Sequence, residues 1–110
     1  MSSASHNTVR LLILLSRIGS IESRRKLHEL VFGLSKKGVF TYRFIRVGDS
    51  VYSHELDDDL RLLRNARLID VKTTIKGGDV FEYIEISDYG KEFVNDLCKL
   101  HNDLCNDIFS

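Results

Sequence analysis

Apolar residues follow a helical period in four stretches of this chain and a strand period in the stretches between them. Leu11, Leu12, Ile13, Leu14 and Leu15 lie between Arg10 and Arg17. They predict a first helix from about Thr8 to Ile18, with Asn7 as its N-cap and Gly19 as its stop. Apolar groups nearly all round such a helix require burial on more than one side. Leu27, Leu30, Val31 and Leu34 fit the i, i+3, i+4, i+7 template of a second helix, from Glu22 or Ser23 to Ser35, with Gly38 closing it. Thr41 to Val47 alternates Tyr42, Phe44 and Arg46 against Arg43, Ile45 and Val47, a short strand that gives way to a Gly48-Asp49-Ser50 loop. Ser53 is the N-cap of a third helix, with Glu55, Asp57 and Asp58 favourable near its positive end and Leu56, Leu60 and Leu63 as its buried stripe. A fourth helix reads from about Asp88 to Ile108. Phe93, Leu97, Leu100, Leu104 and Ile108 recur along it at spacings of three and four, with Val94, Cys98 and Cys105 beside them.

Between the third and fourth helices the period drops to two. With Gly77-Gly78 as the central residues of a type I′ or II′ turn, Lys76 faces Asp79 and the register follows. One face carries Ile75 with Val80, Val71 with Ile84 and Ile69 with Ile86, interrupted by Thr73 with Glu82. The other carries Thr74 with Phe81, Lys72 with Tyr83 and Asp70 with Glu85. A slip of one residue would scatter the apolar pairs over both faces.

The order helix, helix, strand, helix, hairpin, helix makes an α+β domain that resembles the winged helix-turn-helix superfamily, a group rich in transcriptional regulators. The resemblance covers nearly the whole chain. Within it, Tyr42-Arg43-Phe44 followed by Val51-Tyr52-Ser53-His54-Glu55-Leu56 and Asp59-Leu60 is similar to small phage-associated and Panacea-type winged-helix proteins. Their usual segment runs Gly-Pro-Tyr-Ser into an acidic helix, whereas here Ser50-Val51 stands in place of Gly-Pro. Ser87-Asp88-Tyr89-Gly90-Lys91 resembles the junction that follows the wing. The likeness implies a DNA-binding protein whose third helix enters the major groove.

The residues offer candidates for that role. On the third helix, His54, Asp58, Arg61 and Asn65 face outward, opposite the leucines, and Arg61 and Asn65 suit the edges of guanine and adenine. Arg64 and Arg67 reach toward phosphates, and Ser53 stands at the helix start. Asp57, Asp58 and Asp59 oppose this reading, and an Asp57–Arg61 pair would merely neutralise a solvated face. Arg24, Arg25 and Lys26 open the second helix, where backbone N–H groups and guanidinium forks can converge on one anion. The plainer reading is a basic turn answered by Glu22 and Glu29. Lys72 and Lys76, with Tyr83, complete the candidate set on the wing.

Composition adds one feature. The chain has 110 residues, 16 Lys/Arg and 16 Asp/Glu, hence no net charge. Residues 1–48 hold nine cations against two carboxylates, a net of +7, and residues 49–110 hold seven against fourteen, a net of −7. Such segregation points to a polarised surface with an anionic partner, unless the halves interleave in space. Residues 1–7 read as a polar leader before a single domain over 8–110. With no secretion signal and no long apolar run, cytoplasm is the default.

Cys98 and Cys105 lie seven apart in the fourth helix, about 10 Å along its axis and beyond the roughly 7 Å Cα limit for a disulfide. Buried free thiols are expected, with an intermolecular bridge as the alternative. His6, His28, His54 and His101 are scattered and read as solvated, without a catalytic partner, metal-ligand spacing or a cofactor motif. An enzyme is therefore not expected.

The expected function is a dimeric transcriptional regulator bound to double-stranded DNA. Leu11 and Leu15 on the first helix, with Phe93, Leu97, Leu100, Leu104 and Ile108 on the fourth, would form the homodimer interface. The alternative is a protein-interaction module, antitoxin-like or adaptor-like, whose acidic third helix captures a basic partner.

Overall fold

The computed structural model describes residues 3–107 and has an α+β architecture. Its elements are α1 (Ser3–Ile18), β1 (Ser20–Glu22), α2 (Arg24–Ser35), β2 (Ile45–Val47), β3 (Ser50–Tyr52), α3 (His54–Asn65), β4 (Ile69–Lys76), β5 (Asp79–Ile86), α4 (Asp88–Leu100) and α5 (Asn102–Asp107). β1, β5 and β4 form an antiparallel sheet in that order, and β2 pairs with β3 in a separate ribbon.

The all-apolar segment of α1 is the centre of the molecule. Leu11, Leu12, Ile13, Leu14 and Leu15 are all buried, alongside Leu27 and Val31 of α2, Leu56, Leu60 and Leu63 of α3, Ile84 and Ile86 of β5, and Val94 of α4. Burying a leucine-sized side chain contributes roughly 1.5–3 kcal/mol. Leu30, expected in the α2 stripe, lies at the rim with 36% exposure.

The long hairpin keeps the register expected from its turn. Ile69 faces Ile86, Val71 faces Ile84, Ile75 faces Val80 and Lys76 faces Asp79. Gly77 and Gly78 have φ of 58° and 85°, the paired left-handed conformation of a type I′ turn. The base of the apolar face is covered by the core, but its tip is bare, with Ile75 71% and Val80 67% exposed. Asp70 opposite Glu85 is tolerated because Lys72 Nζ pairs with Glu85 at 2.5 Å.

Several expectations at the element boundaries are corrected. α1 starts at Ser3, so Asn7 lies inside the helix rather than capping it, and the polar leader is in part helical. Asn7 is buried; its Nδ2 donates to Thr41 Oγ1 at 3.0 Å, and its Oδ1 accepts the Thr41 N–H at 3.0 Å. The segment from Thr41 forms a strand only from Ile45 onward, since the Thr41 and Arg43 backbone N–H groups donate to the Asn7 and Glu55 side chains rather than to a ladder. Ser50 belongs to β3, which returns against β2 after the two-residue Gly48-Asp49 turn. β1 was not expected from so short a stretch. It is drawn into the sheet by pairing Ile21 with Ile84.

The fourth helix is likewise not continuous to Ile108. It breaks at His101, whose φ and ψ are −133° and 65°, and α5 turns back from there. The reversal brings Cys98 and Cys105 to a Cα separation of 5.7 Å, and they form a disulfide. The expectation of free thiols fails because it assumed an unbroken helical rise. Arg17 on α1 also holds α5, donating to the Cys105 carbonyl at 2.5 Å.

Gly90 fixes how α4 meets the hairpin. A Cβ there would lie 2.1 Å from the Leu68 carbonyl oxygen and 2.7 Å from Ile86 Cγ1, whereas one at Gly33 would meet nothing within 4 Å. Gly90→Ala should therefore lower unfolding free energy by about 3 kcal/mol, while Gly33→Ala should raise it by up to about 1 kcal/mol. Urea melts of the two variants check both signs. By the same measurement, Cys98→Ser/Cys105→Ser should cost about 2 kcal/mol, a small value because the closed loop is short.

Candidate nucleic-acid interface

α2 and α3 are locked together by a buried polar cluster. His28 on α2 is 2% exposed and its Nδ1 accepts the Ser53 backbone N–H at 3.1 Å. That bond leaves the proton on Nε2, which donates to Asp57 Oδ1 at 3.2 Å. The Tyr52 hydroxyl donates to Asp57 Oδ2 at 2.7 Å, and its ring stacks on His28 at a centroid distance of 5.0 Å. Burial pushes the Asp57 carboxyl upward, but the bonds from Tyr52 and His28 outweigh it and hold the group below its ordinary range. The reading of His28 as a solvated side chain is thus overturned. The sequence did carry a signal, since His28 follows Leu27 and precedes Val31 by three, inside the apolar sector of α2.

A second inward contact lies two residues further along α3. Tyr42 donates to Asp59 Oδ2 at 2.5 Å, and Thr8 also bonds this carboxylate. Burial raises the Asp59 carboxyl, and the neighbouring Asp58 and Glu55 raise it further against the lowering effect of those bonds. Burial and the Asp59 bond push the Tyr42 hydroxyl far above the usual phenol range. Glu55 accepts the Arg43 N–H at 2.6 Å. Of the three consecutive aspartates, only Asp58 is fully on the outer face, paired with Arg61 at 2.9 Å rather than leaving Arg61 to Asp57.

This arrangement sets the positions of the candidate cations. Ser23 caps α2, its Oγ accepting the Lys26 N–H at 3.2 Å, and its own N–H donates to the Glu82 carbonyl at 2.6 Å. Those two bonds hold Ser23 at φ 71°, a conformation uncommon for a residue with a side chain. Arg24, Arg25 and Lys26 are exposed, each paired with a glutamate: Glu82 at 3.1 Å, Glu29 at 3.5 Å and Glu22 at 3.6 Å. Exposed pairs of this kind contribute about 0–1 kcal/mol, so a competing anion can displace them.

Arg24 of α2 and Asp57, Arg61 and Arg64 of α3 line one concavity of about 70 Å³, three cations to one carboxylate, floored by Leu60, Ile69, Val71 and Ile84. His54 and Asn65 are exposed at opposite ends of α3, and Lys72 and Lys76 are exposed along β4, away from that concavity. Ser53 is 1% exposed, and its Oγ accepts the Leu56 N–H at 3.2 Å. It is a buried helix cap, unable to meet a partner. Arg67 takes a left-handed turn at the end of α3.

Of the interface residues expected for a dimer, Leu11 and Leu15 are consumed by the chain's own core. Leu97 packs against that core, while Phe93 and Leu100 are exposed on α4. The Leu104 side chain and Ile108 lie outside the described residues. No helix among the described residues is long and apolar enough to cross a membrane. No protein-family model, curated protein or solved structure matches the chain.

The two inward aspartates have opposite linkage to pH. Asp57 has a depressed folded-state pKa, so its contribution is present above the unfolded value of about 3.9 and is lost as pH falls through the folded value. Asp59 has a raised one, so its contribution favours the fold at low pH and fades as pH rises through its titration. Asp57→Asn should cost about 1–2 kcal/mol at pH 7 and progressively less below pH of about 4. Asp59→Asn should flatten the acid side of the stability profile in the opposite sense. Urea melts across pH 2–7 check both slopes.

Proposed function

We propose that this protein is a winged helix-turn-helix module that binds double-stranded DNA, with β4–β5 as its wing and α3 as the helix presented to the major groove. The observation that carries this reading is the convergence of Arg24, Arg61 and Arg64 on one concavity between α2, α3 and the sheet. Arginine forks match phosphate oxygens in a bidentate way, and three of them on a surface ledge favour a polyanion. Arg25 and Lys26 extend that ledge along the first turn of α2. Asn65 and His54 flank it on α3 as groups able to sample base edges, and Lys76 at the wing tip reaches for a neighbouring phosphate.

The acidic run of α3 is the main objection to DNA, and the side-chain geometry weakens it. Asp57 and Asp59 accept hydrogen bonds from Tyr52, His28 and Tyr42 on the inner side of the helix, leaving Asp58 outermost beside Arg61. The same fact works against the basic-partner alternative, which needs those carboxylates turned outward. A transcription-regulating homodimer fits this reading through α4, where Tyr89, Phe93 and Leu100 leave apolar surface exposed. A two-fold protein of this kind would prefer a pseudo-palindromic site.

Selection from a random duplex library, followed by titration of the enriched sequence at several salt concentrations, tests the proposal. The wild type should bind with a log K against log salt slope of several units. Arg24→Ala/Arg64→Ala should reduce that slope by about two units. Asn65→Ala should relax base preference with little change in slope. No binding at low salt, or a slope that ignores the arginines, overturns the reading.

A further inference from the structure

The broken end of α4 forms part of a second cationic concavity. An open groove of about 790 Å³ lies between the start of α1, the turn after α2 and the α4–α5 junction. Its charged and titratable lining is His6 and Arg10 from α1, Lys37 from the turn, Lys99 and His101 from the junction, and Asp103 of α5. We propose that this groove binds a small phosphorylated molecule.

Three features support that ligand class. First, among the described residues Arg10, Lys37 and Lys99 have no ion-pair partner, in contrast to Arg24, Arg25 and Lys26, each of which faces a glutamate. Second, Arg10 is half-committed: it donates from one terminal nitrogen to the Val39 carbonyl at 2.7 Å, while its buried Nε has no hydrogen-bond partner. The Val39 bond holds the guanidinium at the groove wall, where an anion can meet its terminal nitrogens. Third, the size is that of a small-molecule site, and the walls come from three separate elements.

Favourable dipole interactions at helix C-termini account for Lys37 and Lys99 one at a time. They do not account for Arg10, His6 and His101 meeting on the same groove. The site also stands apart from the arginine ledge. Lys37 follows the C-terminal end of α2, whereas Arg24 opens it, roughly 18 Å away along a twelve-residue helix. A phosphate group could reach such a groove from a free phosphorylated compound or from a nucleic-acid backbone. The lining drawn from three separate elements and the distance from the ledge favour the free compound.

Calorimetric titration of the full chain with pyrophosphate and with inorganic phosphate tests this directly. Wild type should bind pyrophosphate more tightly than phosphate, and Lys37→Gln/Lys99→Gln should weaken that binding by roughly tenfold or more while the thermal melt is unchanged. Arg24→Ala/Arg64→Ala should bind pyrophosphate like wild type, which separates this site from the DNA reading. Amide resonances of His6, Lys37 and His101 should move on titration. Absence of pyrophosphate binding, or binding unaffected by the lysine changes, overturns the proposal. So does loss of duplex affinity in Lys37→Gln/Lys99→Gln, which would make the groove part of a nucleic-acid path.

Discussion

Everything in this structure is arranged around the need to keep α1 dry. Leu11, Leu12, Ile13, Leu14 and Leu15 cover the helix circumference, and none of them is more than 4% exposed. A helix apolar on all sides cannot rest on one neighbour, so α2, α3, α4 and the sheet must enclose it from different directions. That requirement explains why a chain of 110 residues puts its largest apolar cluster at a helix near its start. It also explains why Leu11 and Leu15 have no surface left to offer a second copy.

Enclosure alone does not fix the angle between α2 and α3, because apolar packing is tolerant of small rotations. The His28 cluster supplies what packing lacks. Its imidazole is held at both nitrogens, one by the cap residue of α3 and the other by Asp57 on the first turn of that helix. Directional bonds in a buried setting leave few alternative geometries. The arginines on the two helices thereby acquire a defined spacing, although none of them takes part in the cluster.

Much of the fold was legible because its strongest signals are local. The Gly77-Gly78 turn determines the β4–β5 register, and Ser53 with Leu56, Leu60 and Leu63 marks α3 to within a residue. What escaped were features set by distant partners. β1 exists because β5 offers an edge to Ile21, and Asn7 is buried because Thr41 satisfies it from 34 residues away. The candidate interface was legible in its residue types and not in its geometry. Arg24, Arg61 and Arg64 were visible as cations, but their meeting depends on His28, whose surroundings no short window contains. Ser53 was misjudged as a contact for the same reason, since a cap at the surface and a cap in the core look identical in sequence. The break at His101 left no local mark either, because the apolar spacing of Phe93, Leu97, Leu100 and Leu104 continues across it.

That uninterrupted spacing gives the Cys98–Cys105 bond a thermodynamic meaning. A straight helix would hold the two residues about 10 Å apart, and the cross-linked chain holds them at 5.7 Å. The covalent bond and helical continuity through His101 therefore exclude each other, so the two equilibria are linked. Whatever strengthens the straight form must, by reciprocity, make the cross-link easier to open. Whatever favours the bend must protect it. The bend at His101 and the Cys98–Cys105 cross-link thus support each other, each holding the α4–α5 junction in the form the other requires.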